Sequence, residues 1–257
     1  MKAFFLFLLS ISLISCEKAT DPLKAAFEIQ GDPSNVPTLA TSEVYSFNNT
    51  SINGTRYEWD FGNGTTSNDK NPSITYLEGG EYIITLRVSD ENSKIVSASK
   101  KVKVLDRVLK QIIIKSIDLS FLQTNPGRPP LNFDVWVEIV KAEENTDYPT
   151  LQNGSLDAPL VYKTPTSIGA NPDDTPIIFQ VNEKVIIDKP TLTISSGYIG
   201  NGYGLNLYIE DPHGIYLPSS SYFSGSRLLI EDSLVKRSYV ISSSFLGSTV
   251  ELHCVYE

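Results

Sequence analysis

Apolar and polar residues alternate with period two along most of this chain. Gly, Pro, Asn and Asp punctuate the alternation, and no stretch carries the apolar spacing of a long amphipathic helix. The pattern predicts an all-β protein. From Arg56 to Phe61 the rings of Tyr57, Trp59 and Phe61 take one face, and Arg56, Glu58 and Asp60 take the other. Tyr82, Ile84, Leu86 and Val88 alternate in the same way against Ile83, Thr85, Arg87 and Ser89, following a Gly79-Gly80 turn. Between these two strands lies "WDFGNG", in which Asn63-Gly64 predicts a two-residue type I′ hairpin with positive φ at both central positions. Downstream, "IKSIDLSF", "NFDVWVEIV", "PIIFQV", "PTLTI", "LNLYIED", "RLLIE", "RSYVIS" and "TVELHCVY" read as about eight strands, a number that fits one further sandwich over 110–257. Within them Phe133, Val135, Val137 and Ile139 share a face, as do Leu205, Leu207 and Ile209, and Val250, Leu252, Cys254 and Tyr256.

The alternation is absent at the start. "MKAFFLFLLSISLIS" places one cation before an unbroken apolar and small-residue run. A spanning helix needs about 20 apolar residues, so this shorter run reads as a secretory signal. The "LISC" that follows, Leu13 to Cys16, resembles the lipobox of bacterial lipoproteins. That resemblance implies cleavage after Ser15, diacylation of the Cys16 thiol and a lipid anchor in the membrane. The expected organisation is a signal over 1–15, a tether over 16–23, a first domain over 24–105 and a second over 110–257. The chain has two cysteines; with Cys16 lipidated, Cys254 has no partner and burial alone must stabilise the fold. The neighbours of Cys254 on its strand make it a small core residue. The net charge of −9, with no long Lys/Arg cluster, argues against nucleic acid as a partner.

The first half of the chain resembles the polycystic kidney disease (PKD) domain family. The residues that carry the resemblance are Trp59, Phe61, Gly62, Gly64, Pro72, Tyr76, Gly80 and Tyr82, with "SFNNTS" upstream at the family's strand end. Asn63 stands where the family usually has an Asp. The resemblance implies an immunoglobulin-like sandwich without an active site. In it Trp59, Phe61, Tyr76 and Tyr82 are core anchors, and Gly62 and Gly64 are turn residues. A phosphate cradle would need these glycines to lead into a helix N-terminus, whereas "TTSNDKNP" is poor in helix formers. Asp60, Asn63 and Asp69 supply few carboxylates for a hard cation that takes six to eight oxygens.

Two strands of the second half resemble the calcium-and-phospholipid-binding sandwich of protein kinase C and synaptotagmin. They are "LNFDVWVEI", with Asp134 at the acidic position, and "LNLYIEDPHG", with Asp211 at the first Asp of a pair whose second position is His213. Asp134 and Asp211 are therefore weak calcium candidates, and no cofactor is expected. Carboxylate pairs fit for glycoside hydrolysis occur at Glu143-Glu144 and Asp173-Asp174, both in polar, loop-like segments. A nucleophile elbow and an HExxH zinc motif are absent from the sequence. "DSL", Asp232 to Leu234, resembles a short bacterial O-glycosylation motif.

The expectation is a non-catalytic cell-envelope lipoprotein, anchored in the outer membrane and exposed at the surface. Its PKD-like domain is a spacer that presents the second sandwich to a glycan or an envelope protein. Thirteen tyrosines, several in "SSGYIGNGYG" and "PSSSYFSGS", are candidate sugar-stacking platforms. The rival expectations are an accessory module or small hydrolase acting on extracellular polysaccharide, and a structural subunit of an envelope complex.

Overall fold

The computed structural model describes residues 22–30, 37–118, 132–141, 151–152, 155–156, 159–188, 194–195, 198–199, 203–211, 214–222, 228–234, 236–245 and 248–257. Cys16, Glu143, Glu144 and His213 lie outside them. So do the side chains of Asp211 and of the tyrosine-rich segments.

Among the described residues, eight strands form the first unit: β1 (Phe27–Ile29), β2 (Thr38–Ala40), β3 (Val44–Asn49), β4 (Arg56–Asp60), β5 (Thr66–Ser67), β6 (Ser73–Thr75), β7 (Gly80–Ser89) and β8 (Ile95–Leu105). They make a three-stranded sheet, β1-β3-β6, and a five-stranded sheet, β2-β8-β7-β4-β5, in which β2 runs parallel to β8. The period-two residues of β4 and β7 point into the space between the sheets. There Trp59, Ile84, Leu86 and Val88 meet Phe27, Ile29, Phe47 and Ile74 from the smaller sheet.

The second unit comprises β9 (Arg107–Ser116), β10 (Phe133–Lys141), β11 (Leu151–Gln152), β12 (Ser155–Leu156), β13 (Leu160–Lys163), β14 (Ser167–Ala170), β15 (Ile177–Ile186), β16 (Ile194–Ser195), β17 (Tyr198–Ile199), β18 (Tyr203–Asp211), β19 (Gly214–Tyr222), β20 (Leu228–Ser233), β21 (Ser238–Phe245) and β22 (Ser248–Tyr256). One five-stranded sheet runs β15-β9-β22-β21-β20; the other runs β13-β10-β18-β19, with β14 also on β10. Their inner faces share one core, to which β9 and β22 give Ile112, Ile114, Leu252 and Cys254, and β10 and β18 give Val135, Val137, Leu207 and Ile209. Burial pushes the Cys254 thiol up to about 12, so it is not a nucleophile at neutral pH.

Among the described residues these two sheets hold ten strands, where the alternation predicts about eight; the strand read at "IKSIDLSF" is β9, which runs earlier and ends at Ser116, and "PTLTI" lies mostly outside the described residues. The extra strands have weak patterns. β13 and β14 each bury a single core residue, Tyr162 and Ala170, and β19 contains Pro218, which reads as a strand breaker. Asp173 and Asp174 form an exposed 3₁₀ turn in which the Asn171 side chain accepts from the Asp173 amide and Asp174 accepts from the Asn171 amide. That second carboxylate is thereby committed to the turn.

The two sandwiches are joined by a single residue. β8 ends at Leu105 and β9 begins at Arg107, with Asp106 between them. Asp106 Oδ1 accepts from the Gly79 amide and its Oδ2 accepts from Lys184 Nζ, both at 2.9 Å. Its backbone exchanges hydrogen bonds of 3.0 and 3.1 Å with Glu257. A Cβ on Gly79 would stand 2.8 Å from Asp106 Cγ, so this approach requires glycine at 79. Arg107 is fully buried. Its guanidinium donates to the Thr41 carbonyl at 2.7 Å and to Glu43 in the first unit, and to the Tyr256 hydroxyl at 3.0 Å in the second. Ala40 and Leu105, both from strands of the first unit, pack into the second core. Domain linkers are ordinarily exposed and crossed by few contacts; this junction is buried and hydrogen-bonded on both sides.

Candidate functional site

Two regions carry the motifs of the two resemblances: the "WDFGNG" hairpin and the paired strands β10 and β18. In the hairpin, Trp59 is 1% exposed and sits among Phe27, Phe47 and Phe61 at ring distances of 5.1, 5.7 and 6.1 Å. Its Nε1–H donates to the Asp69 carbonyl at 2.9 Å. This satisfies the one polar atom of a buried indole and pins the segment after the hairpin. Phe61 and Tyr76 are buried, the Tyr76 hydroxyl donates to the Phe61 carbonyl at 3.1 Å, and the Tyr82 ring lies 4.6 Å from that of Tyr76. Tyr82 donates its own hydroxyl to the Glu78 carbonyl.

The turn differs from the type I′ expectation. Gly62 and Gly64 have φ of +78° and +87°, and Asn63 is not in the positive-φ region. The loop closes instead by the Phe61 amide donating to the Thr65 carbonyl, while Asn63 Oδ1 accepts from both the amide and the hydroxyl of Thr65. The left-handed positions fall on the two glycines, which adopt them without the steric cost a side chain carries. Asp60 Oδ1 accepts from the Gly62 amide at 2.9 Å. One oxygen of Asp60 and the Asn63 side-chain oxygen are thus committed to the turn.

In the second unit, β10 and β18 are aligned so that Asp134 faces Glu210, Trp136 faces Tyr208 and Glu138 faces Asn206. These residues alternate with the core positions and form the sheet's outer face. Sequence reading passed over Trp136, although a tryptophan between Asp134 and Glu138 on the polar side of a strand is itself a signal. The Trp136 and Tyr208 rings stack at 5.1 Å with planes 9° apart, and Lys163 Nζ lies 4.8 Å from the centre of the Trp136 ring. Trp136 Nε1–H donates to Glu138 at 3.3 Å, and Lys163 pairs with Glu138 at 3.2 Å. Trp136 is 7% exposed, and Asn206 beside it is buried. The row thus joins a covered aromatic pair to an ammonium, carboxylates and an amide.

The calcium candidates are not brought opposite one another. Asp134 Oδ1 accepts from the Gly169 amide at 2.9 Å and so holds β14 against β10. Register places it against Glu210, and Asp211 pairs instead with Gly214 at the turn into β19. Among the described residues no group of three His, Cys, Asp or Glu side chains is arranged to hold a metal ion. Asp232 Oδ1 accepts from the Tyr256 hydroxyl at 2.6 Å and Ser233 Oγ accepts from the Lys236 amide, so the side chains of "DSL" belong to the junction and to a local turn.

Comparison with known proteins places the first unit. Residues 28–104 match the family model described as PKD domain. The chain is 42% identical over 60 residues to collagenase ColA of Clostridium perfringens, covering 23% of this chain and 5% of that protein. It is 34% identical over 80 residues to the pre-pro-metalloprotease PrtV of Vibrio cholerae, covering 31% and 8%. The matches therefore span a small fraction of either relative. The crystal structure of the PKD1 domain from V. cholerae PrtV is similar at 32% identity over 32% of this chain and 95% of that one, with a TM-score of 0.27. A carbohydrate-binding module of the β-sandwich superfamily aligns over 79% of this chain and 98% of its own at 13% identity, with a TM-score of 0.29. By sequence pattern, sheet arrangement and family match together, residues 28–104 are a PKD domain, followed by a larger β-sandwich.

Proposed function

We propose that this protein is a non-catalytic lipoprotein of the cell envelope, anchored through Cys16, in which the PKD domain is a stiff spacer for the second sandwich. That sandwich binds a glycan or an envelope protein at the cell surface through the side of β10 and β18 that carries the half-buried Tyr208 and the exposed Glu210. The observation that carries this reading is the one-residue junction at Asp106, closed by Arg107 on both sides. A module on a flexible linker samples many orientations, whereas two sandwiches locked through a buried guanidinium hold one orientation relative to each other. A fixed presentation lowers the ordering cost of binding an extended or immobile partner.

Two measurements test it. Cys16→Ser removes the thiol that would carry the lipid; the variant is expected to leave the membrane fraction and lose the acyl mass, and retention of both would end the anchor reading. Glycan arrays and pull-downs with the processed chain, repeated with Trp136→Ala, test the binding face. Loss of a specific ligand with the fold intact supports the assignment; a ligand retained by the variant moves the site elsewhere. The matches to stretches of a collagenase and a pre-pro-metalloprotease favour one second reading, an accessory role beside an extracellular hydrolase. A hydrolase recovered in stoichiometric amount in the pull-down, without glycan, would select it.

A further inference from the structure

We propose that the PKD domain is more than a spacer: a polar groove on the solvent face of its five-stranded sheet binds a neutral, hydroxyl-rich ligand, a short oligosaccharide segment. The groove encloses about 310 Å³ and is lined by Glu58, Asp60, Thr66, Asn68, Thr85 and Arg87, with Trp59 at its base. That volume lies at the small end of ligand pockets. Cross-strand register sets Glu58 against Arg87 and Asp60 against both Thr85 and Thr66, so acceptors and donors stand side by side on β4, β5 and β7.

Local geometry holds this wall in place. The Trp59 indole donates to the Asp69 carbonyl, the Ser67 hydroxyl and Asp69 hydrogen-bond each other, and the glycine turn fixes the loop between β4 and β5. Thr66 is therefore held by its backbone pairing with Asp60 and Asn68 by its neighbours, with no bond from either side chain. Glu58, Arg87, Thr66 and Asn68 side chains make no hydrogen bond or ion pair among the described residues, even though Glu58 and Arg87 are cross-strand neighbours. Asp60 spends one carboxylate oxygen on the Gly62 amide, and the Thr85 hydroxyl pairs with Ser99. The groove thus offers carboxylate acceptors, a guanidinium donor, an amide and hydroxyls, mostly unspent.

This composition selects the ligand class. Glu58 and Asp60 repel an anionic chain, and Arg87, set against Glu58, offsets one of the two carboxylates, so a cationic chain gains little at this exposed face. A peptide strand would pair its amides along a sheet edge, whereas these groups project from the sheet face. A sugar hydroxyl donates to a carboxylate and accepts from a guanidinium at the same time. The Trp59 ring is turned into the core, so recognition rests on hydrogen bonds without stacking and is weak.

The test is a backbone-amide NMR titration of the processed full chain with cellohexaose, xylohexaose, maltohexaose and chitohexaose at millimolar concentration. The proposal expects saturable shifts at Glu58, Thr66, Asn68, Thr85 and Arg87 with at least one of these. An Asn68→Ala/Arg87→Ala variant should keep its melting temperature, because both side chains are exposed and unpaired, and should lose about tenfold in affinity. Trp136→Ala should leave these shifts unchanged, which separates this site from the face assigned to the second sandwich. Absence of saturable shifts with all four sugars, shifts that persist in the double variant, or tighter binding of a uronic or sulfated oligosaccharide would each overturn the proposal.

Discussion

The Nε–H of Arg107 donates to the hydroxyl of Tyr256 at 3.0 Å, across 149 residues of chain. Tyr256 in turn donates to Asp232 at 2.6 Å, and the guanidinium lies 5.0 and 5.3 Å from the ring centres of Tyr239 and Tyr256. Burial opposes the charge on Arg107, but Tyr256 and Glu43 outweigh it and hold its pKa above the ordinary arginine value. One charged group therefore joins polar groups of the first unit to the aromatic residues of the second core.

Arg107→Met is expected to cost about 3 kcal/mol, since it removes the buried donor to the Thr41 carbonyl, to Glu43 and to the Tyr256 hydroxyl. It should also uncouple the domains. The chain has two tryptophans, and each sandwich holds one, Trp59 and Trp136. Single-tryptophan variants report each unit by fluorescence in urea: coincident transitions with Arg107 present, and separated transitions in Arg107→Met. Separate transitions in the parent chain would show that the junction does not couple them.

Trp59→Ala should destabilise the PKD domain by about 3 to 5 kcal/mol, the cost of removing a large buried aromatic. It also leaves the Asp69 carbonyl without the indole donor. Thermal melting of the full chain, followed by Trp136 fluorescence alongside circular dichroism, gives the size of the loss and whether it reaches the second unit. An unchanged melt would mean the ring contributes nothing to the core.

The two turn glycines should respond unequally. Both Gly62 and Gly64 have positive φ, so alanine at either costs about 1 to 2 kcal/mol of backbone strain. A Cβ at 62 would also meet the Ile83 carbonyl oxygen at 2.8 Å, whereas a Cβ at 64 has nothing within 4 Å. Gly62→Ala is expected to be the more damaging in paired urea titrations. Equal losses would show that β7 yields freely beside the turn.

Alkaline pH should unfold the protein early. Burial raises the phenol pKa values of Tyr45, Tyr76, Tyr239 and Tyr256, and it pushes the Cys254 thiol up to about 12. In the unfolded chain these groups lose protons near about pH 8.5 for the thiol and 10 for the phenols. The native state keeps protons that the unfolded state releases, so stability is full below those values and falls as pH rises through them. Each retained proton contributes a slope of about 1.4 kcal/mol per pH unit. Urea midpoints should be insensitive to these groups near neutrality and fall above about pH 9. Cys254→Ser should move the onset of that fall towards about pH 10, and an onset that stays in place would show that the thiol does not contribute.

The strands were readable because their signal is local. Tyr57 with Trp59 and Phe61, Ile84 with Leu86 and Val88, and Leu252 with Cys254 each announce a buried face through residues two apart, and the structure buries Trp59, Phe61, Ile84, Leu86, Val88, Leu252 and Cys254. Turn geometry was half readable: the glycines of "WDFGNG" marked a turn, but which residues took positive φ depended on the hydrogen bonds Asn63 makes to Thr65 and on β7 lying against Gly62. Arg107 was not readable at all, since "LDRVLK" looks like an ordinary charged strand start. Its burial depends on Thr41, Glu43 and Tyr256, between 64 and 149 residues away. Trp136 and the Glu58–Arg87 groove are of the same kind, each set by which strand lies beside β10 or β4. Alternation along one strand specifies which side chains turn inward, because the pleat is a property of neighbouring residues. Which strands then meet is decided by the packing of the whole chain, and with it which charge is buried and which polar face stays open.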